Sequence, residues 1–425
     1  MNRAPLISRL ASAAVALVAL AAPAVAHGDA VIDWNLQAQS TILGPGPTAH
    51  ASTLNYAMVH GAMYDAVAAI DRRYRPYLRV PRVKGPASKD AAAATAAFRV
   101  LVDRYPGQAA TLQQRYDASL NAVPDGPAKQ RGIAAGESAA AAMLAARAGD
   151  GQLPAGTPYP FPQGTTPGAW RVSLPLTAVE PTWWLGSVRP FMLPDARWFA
   201  SDGPNPLTSR AYARDLNEVK RIGELASEHR TADQTRAAIF WQAQPMALYG
   251  GVMRDLSARY GLSTADNARL FGMATLAAAD AGIACWRDKY DHKVWRPVDA
   301  IRLADTDGNP RTEADPDWRP LFDPATPTTP ALATPNFPEH PSGHSCITSA
   351  VMNVLRDFFG RDRISFDVFS SRFPGEPRHF ERFSDVVDEL VEARIWAGVH
   401  FRAADVQGAE IGEKVARWQR WYFRR

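Results

Sequence analysis

The chain has 425 residues, 46% of them hydrophobic and 21% charged, with a formal net charge of +4. That length admits two or three domains or one large helical one. The near balance of charge, with no Lys/Arg run interleaved by aromatics, excludes a nucleic-acid footprint.

The N-terminus reads as a secretory signal. Arg3 and Arg9 supply the positive end, Leu10 to Ala22 the apolar stretch, and Ala24-Val25-Ala26 a small-x-small cleavage site. Cleavage there starts the mature chain at His27 and lowers the net charge to +2, because residues 1–26 hold two arginines and no acids. No later run reaches the length of an apolar membrane span, so the expected product is exported, without a membrane span, to the periplasm or the medium. An exported protein permits a disulfide between its two cysteines, Cys285 and Cys346; two buried free thiols fit equally well.

Helical periodicity dominates the rest of the chain, and strand alternation is nearly absent. Helices are expected over 32–43, 51–72, 90–105, 108–121 and 127–146, the last three forming an Ala-rich trio whose faces permit close approach. His60 lies in the second and reads as a packed or hydrogen-bonded histidine. Residues 149–206 are rich in Pro, Gly, Thr and Trp (Trp170, Trp183, Trp184, Trp198). A stretch this long without regular structure is expected to pack over the helices or to roof a site. Helices resume over 208–227, with Thr208 or Ser209 as N-cap, then over 230–244, 246–261 and 263–290. A second Pro/Asp/Thr loop covers 305–335, and helices return over 342–359, 379–399 and 403–423. The expected architecture is all-α, two bundle-like halves: a signal at 1–26, an N-terminal helical region with the Pro/Trp-rich loop at 27–206, and a C-terminal helical domain at 207–425.

Three clusters carry chemistry in the C-terminal part. Lys289 and Arg296 precede Pro297, which is expected to stop the long helix. Asn336-Phe337-Pro338-Glu339-His340-Pro341-Ser342-Gly343-His344 forms a Pro/Gly turn that delivers a serine, two backbone amides and a histidine to a helix start, where N–H groups and the dipole favour an oxyanion. Arg394 and His400 lie six residues apart, with Gly398 between them. Three cations and the Ser342 and Gly343 amides can each meet an oxygen of a tetrahedral or trigonal-bipyramidal oxyanion. Of the two histidines, one would coordinate or attack the central atom and the other move a proton on an apical oxygen.

Together the clusters resemble the signature of the phosphatidic acid phosphatase type 2 and vanadium haloperoxidase superfamily: Lys-x6-Arg-Pro, Pro-Ser-Gly-His, then Ser-Arg-x5-His-x3-Asp. Ala393 stands where that pattern has Ser. Its terminal Asp falls on Ala404, with Asp405 one place later, so Asp405 is the candidate carboxylate for orienting His400. The stretch from Met58 to Val67 and the Ala-rich helices resemble the bacterial haloperoxidase branch. The resemblance implies two stacked four-helix bundles. It also implies that Lys289, Arg296, Ser342, Gly343 and Arg394 hold vanadate oxygens, that His400 ligates vanadium, that His344 is the acid/base partner, and that Lys289 polarises the bound oxidant. Trp286 and Phe337 fall where this family places aromatics beside the halide. The implied partners are hydrogen peroxide, a halide and a small organic compound, and the implied reaction yields a hypohalous species that halogenates that compound.

A phosphomonoesterase would use the same residues, with phosphate in place of vanadate, His400 as nucleophile and His344 protonating the leaving alcohol. The extra helical half before residue 210, the large Pro/Trp loops and the Trp286/Phe337 pair favour the haloperoxidase. A non-catalytic oxyanion-binding protein is the third reading. Helical surfaces of this size often pair, which makes a homodimer an open expectation.

Overall fold

A computed structural model of the chain describes residues 29–423 apart from 44–50, 155–156, 174, 177–180, 324 and 326–331. The expected signal segment lies outside the described residues. Thirteen α-helices and one two-stranded sheet are present among them.

The first bundle is built from α1 (Ala30–Ile42), α2 (Ser52–Asp71), α3 (Lys89–Arg104), α4 (Ala109–Asn121) and α5 (Pro127–Arg147). Its centre is Ala-rich: Ala91 to Ala94, Ala96 and Ala97 of α3 are buried, and α3 packs on both α2 and α5. Gly136 of α5 meets α3 so closely that a Cβ there would sit 2.5 Å from Thr95 Cβ. His60 is fully buried in α2, its Nε2 3.0 Å from Asn35 Nδ2 and its ring stacked on Phe271, and burial pushes its pKa down to about 3. It is a packing histidine, as its place in an apolar helix suggests.

Then come α6 (Arg210–Ile222), α7 (Ala232–Phe240), α8 (Pro245–Tyr260), α9 (Thr264–His292) and α10 (Pro297–Arg302). Ser209 caps α6, Ser263 caps α9, and Thr231 with Gln234 forms a full capping box on α7. The axial helix is α9. By length and composition it could cross a membrane, but 94% of its most apolar window is buried inside the protein. It packs on α2 of the first bundle and on α11 (Gly343–Phe359) and α13 (Arg402–Gln419) of the second, whose remaining wall is α12 (Phe383–Trp396). One continuous apolar core therefore runs through both bundles.

The structure corrects two expectations. Pro297 does not stop the long helix: α9 ends at His292, where Lys293 adopts a left-handed conformation (φ 50°), and Pro297 instead opens α10 at its first position, where a missing N–H costs nothing. Residues 379–382 are not helical. They belong to β2 (Arg378–Arg382), which pairs antiparallel with β1 (Arg363–Val368). Ile364, Phe366 and Val368 alternate inward, a period of two over too short a run to stand out among helices. Of the two readings left open for Cys285 and Cys346, neighbours on α9 and α11, the structure has the buried free thiols, and Cys285 Sγ donates to Pro341 O at 3.6 Å.

The Pro/Trp-rich loop packs along α9. Asp280 of α9 accepts the amides of Phe191, Met192 and Leu193 at 2.6, 2.8 and 3.2 Å. Trp170 and Trp184 are buried, whereas Trp198 is 70% exposed. Trp170 N–H donates to Lys293 O and Trp295 N–H to Gly168 O, so the loop flanks the strand-like link that leads to Arg296.

α13 crosses α11 at close range through two glycines. A Cβ on Gly408 would lie 2.7 Å from Ser342 O, and one on Gly412 would collide with the Cys346 carbonyl. Gly412→Val is expected to cost about 1–3 kcal/mol of stability by overpacking, read as a lowered urea midpoint. An unchanged midpoint would show that the two helices can separate freely.

Candidate active site

The three clusters converge. Lys289 stands one turn before the end of α9, Arg296 is the N-cap residue of α10, Ser342 is the N-cap of α11, Arg394 lies in the last turn of α12, and His400 sits in the short turn between α12 and α13. Gly398 makes that turn with φ 74°, a conformation that favours glycine. Lys289, Arg296 and Arg394 are all fully buried.

Each cation is held differently. Lys289 Nζ donates to Pro338 O (2.9 Å), Glu339 O (3.0 Å) and Pro341 O, so its three protons grip the carbonyls of the motif turn. Arg296 donates through Nε to Phe337 O (2.8 Å) and through Nη1 to Val399 O (2.9 Å), and its guanidinium lies 4.7 Å from the Phe337 ring centroid. Arg394 donates through Nη1 to Gln242 Oε1 (2.6 Å). Arg296 Nη2 and Arg394 Nε and Nη2 are buried donors with no hydrogen-bond partner. Leaving charged donors unpaired away from water is costly, and an anion between them removes the cost. Burial pushes Lys289 down to about 8 and lowers both arginines, which nevertheless keep their charge.

His400 is fixed from both sides. Its Nε2 lies 3.2 Å from Arg296 Nη1 and its Nδ1 2.9 Å from Glu339 Oε1. A guanidinium can only donate, so Nε2 accepts and the ring proton sits on Nδ1, donated to Glu339. Burial, reinforced by Arg296, Lys289, Arg394 and His344, holds His400 well below the usual histidine range. It is therefore a neutral imidazole with the Nε2 lone pair turned toward the cations.

Glu339 is the functional residue that sequence reasoning missed. Its Oε1 also accepts the Phe401 amide at 2.9 Å, and burial raises its carboxyl to about 8 against the pull of Arg296, Phe401 and Lys289. Its place inside the motif turn was the available signal. Asp405, expected to orient His400, does not: its Oδ1 accepts Ser345 Oγ at 2.8 Å and it acts on the start of α11. Burial raises its carboxyl to about 7 against Ser342, Arg394 and Ser345. Gln242 carried no sequence signal.

The helix start also differs from expectation. The Ser342 amide is not available, because it donates to Ala404 O at 2.9 Å; Ser342 keeps only its buried hydroxyl, on the side of Asp405. Gly343, His344 and Ser345 are the first-turn amides that no i−4 carbonyl serves. His344 is 8% exposed at the second position of α11. Trp286 and Phe337 face each other with ring centroids 5.3 Å apart, and Lys289 Nζ lies 5.6 and 5.2 Å from them. Three fixed cations against two carboxylates whose ionisation burial opposes leave the cluster positive, which suits an oxyanion.

Comparison with known proteins agrees with this geometry. The family model for the VCPO second helical-bundle domain matches residues 269–424. A vanadium chloroperoxidase of Curvularia inaequalis is 27% identical over an alignment 263 residues long; the match covers 48% of this chain but only 42% of that protein's length. A bacterial vanadium-dependent iodoperoxidase structure superposes with a TM-score of 0.72 at 23% identity, covering 93% of this chain and 95% of the other. The holo form of a bacterial vanadium-dependent chloroperoxidase gives 0.71 at 18%, covering 90% and 95%. Residues 269–424 thus match the model of the VCPO second helical-bundle domain, and the chain as a whole shares the fold of these two bacterial structures.

Proposed function

We propose that this protein is a vanadate-dependent haloperoxidase, which uses hydrogen peroxide to oxidise a halide to a hypohalous species that halogenates organic compounds. The observation that carries the proposal is the buried cluster of Arg296 and Arg394 with three unpaired guanidinium donors, set around a neutral His400 whose Nε2 lone pair faces them. These residues fit a vanadate ion. Arg296, Arg394, Lys289, the Ser342 hydroxyl and the Gly343 amide would hold its oxygens, and His400 Nε2 would ligate vanadium.

Bound vanadate would supply a Lewis acid that activates peroxide toward halide without itself changing oxidation state. The remaining work falls to the chain. Glu339 keeps the proton on His400 Nδ1 and so keeps Nε2 available as donor. His344, in the first turn of α11, gives and takes the protons that turn peroxide and halide into water and hypohalous acid. Lys289 holds the carbonyls of Pro338, Glu339 and Pro341, which fixes Phe337 and Ser342 in place, and adds its charge to the pocket. For its ammonium to meet an oxyanion oxygen directly, one of those carbonyl bonds has to be exchanged for it. Trp286 and Phe337 form a water-poor wall beside that charge, suited to a poorly hydrated halide.

Protein freed of metal and phosphate, given orthovanadate and peroxide with bromide or iodide, is expected to halogenate a dye in proportion to bound vanadate. Brisk hydrolysis of a phosphomonoester, inhibited by vanadate and unaccompanied by halogenation, would overturn the proposal. Phe337→Ala and Trp286→Ala are expected to change the ratio of iodide to bromide turnover. Equal ratios in both variants and the parent would reduce the pair to packing. Export is part of the same proposal, on the strength of residues 1–26. Protein recovered outside the cytoplasm should begin at His27, and cytoplasmic protein retaining Met1 would contradict it.

A further inference from the structure

A second cluster shares the motif turn and the end of α9 but none of the side chains of the arginine site. Asp288 and His292 are four apart on the last turn of α9 and present one face of it. His340 comes from the motif turn itself. One carboxylate oxygen of Asp288 and one ring nitrogen from each histidine lie within 4.8 Å of one another. Asp288 Oδ1 is 3.3 Å from His292 Nε2, and the two imidazole rings are 5.6 Å apart and nearly perpendicular.

The cluster is supported from outside. Ser201 donates its amide (2.9 Å) and its hydroxyl (2.5 Å) to Asp288 Oδ2, and the same hydroxyl lies 2.9 Å from His340 Nε2. Those bonds orient the carboxylate while leaving Oδ1 for the histidine side. Gly203 lets the loop close over the group, since a Cβ there would sit 3.1 Å from His292 Cε1. Asp288 and His340 are buried, whereas His292 is partly exposed and, with His340, lines a cavity of about 270 Å³ that also touches Asn205, Asp215 and Tyr212.

We infer that Asp288, His292 and His340 form a binding site for a divalent transition-metal ion of the zinc class, with its remaining coordination position open to the cavity. Two imidazoles and one carboxylate are the donor set of three-ligand zinc sites, which leave a fourth position to water. Nitrogen donors select zinc, copper or nickel over calcium and magnesium, which require oxygen shells. The Ser201 bonds are the supporting contacts that metal carboxylates commonly have. In the ion-free protein His292 pairs with Asp288 and His340 with Ser201, and an ion would displace the proton that Asp288 stabilises on His292. An ion here would tie α9, one residue before Lys289, to the motif turn, two residues before Ser342. The site stands apart from the oxyanion proposal and can fail without it.

The test uses full-length protein stripped with chelator, in buffer free of phosphate and vanadate, titrated with zinc chloride by calorimetry. One equivalent per chain is expected, with a melting temperature raised by roughly 2–4 °C at about 100-fold excess over Kd. His292→Gln, at a partly exposed position, is expected to fold and to weaken zinc binding at least tenfold, and His340→Gln to do the same if it folds by circular dichroism. Magnesium and calcium are expected to give no shift. Absence of stoichiometric zinc binding, binding by His292→Gln equal to the parent, or equal binding of calcium would each overturn the site.

Discussion

His400→Ala is expected to weaken orthovanadate binding by at least about 1,000-fold, or ~4 kcal/mol. The reason lies in the two bonds that fix the ring. Arg296 Nη1 on one nitrogen and Glu339 on the other leave a single tautomer, with Nε2 as the only uncharged donor among the cations. Alanine removes that donor and also orphans Glu339, leaving a buried carboxyl without its imidazole partner. His344→Ala should behave differently. His344 starts α11 and is not needed to balance charge, so the ion should be retained within about tenfold while turnover falls roughly 100- to 10,000-fold, the range for a lost general acid–base group. Calorimetry with orthovanadate and the dye assay separate the two effects. Vanadate held as tightly by His400→Ala as by the parent would remove His400 as the ligand.

Glu339→Gln is the second large effect. Glutamine keeps the shape but offers one oxygen in place of two to the Nδ1 proton, and it can present its amide N–H to the ring, which would turn the tautomer round. Loss of such a supporting partner typically costs about 10- to 100-fold in affinity or activity, and vanadate affinity should fall by that much. Stability should move the other way. The Glu339 carboxyl is raised to about 8 in the folded chain from an ordinary value of 4.5, with burial the main cause. A group raised on folding contributes stability below its unfolded pKa and loses it as pH rises through the folded one. In anion-free protein the parent should therefore lose stability relative to Glu339→Gln between about pH 4.5 and 8. Urea midpoints of both proteins across that range read it out. A gap independent of pH would mean that Glu339 is not held in an unfavourable ionisation environment.

Much of this site was legible in the sequence because its chemistry is carried by short spacings. Lys289-x6-Arg296 and Arg394-x5-His400 each span a helix end and the link beyond it, and Pro-Ser-Gly-His marks a helix start. Helix existence was equally legible, since α2, α3, α5, α9 and α11 are long runs of helix-favouring residues, although α2 and α9 are buried on almost every side and not along one stripe. What was not legible depends on side-chain direction across elements distant in sequence. Glu339 and Asp405 are both acids beside motif residues, and only the packing of the α12–α13 turn against the motif shows which one faces His400. The Ser342 amide looked available because the sequence does not say that Ala404 O comes to meet it. β2 was absorbed into a helix because the polar, charged run before Phe383 fits either structure until Phe366 and Phe380 are seen to pair.

The most direct test is a crystal structure of the protein grown with orthovanadate. Vanadium is expected bonded to His400 Nε2, with its oxygens on Arg296 and Arg394 and with Glu339 still on Nδ1. Vanadium bound elsewhere, or a His400 ring turned so that Nε2 meets Glu339, would contradict the assignment of His400 as the ligand.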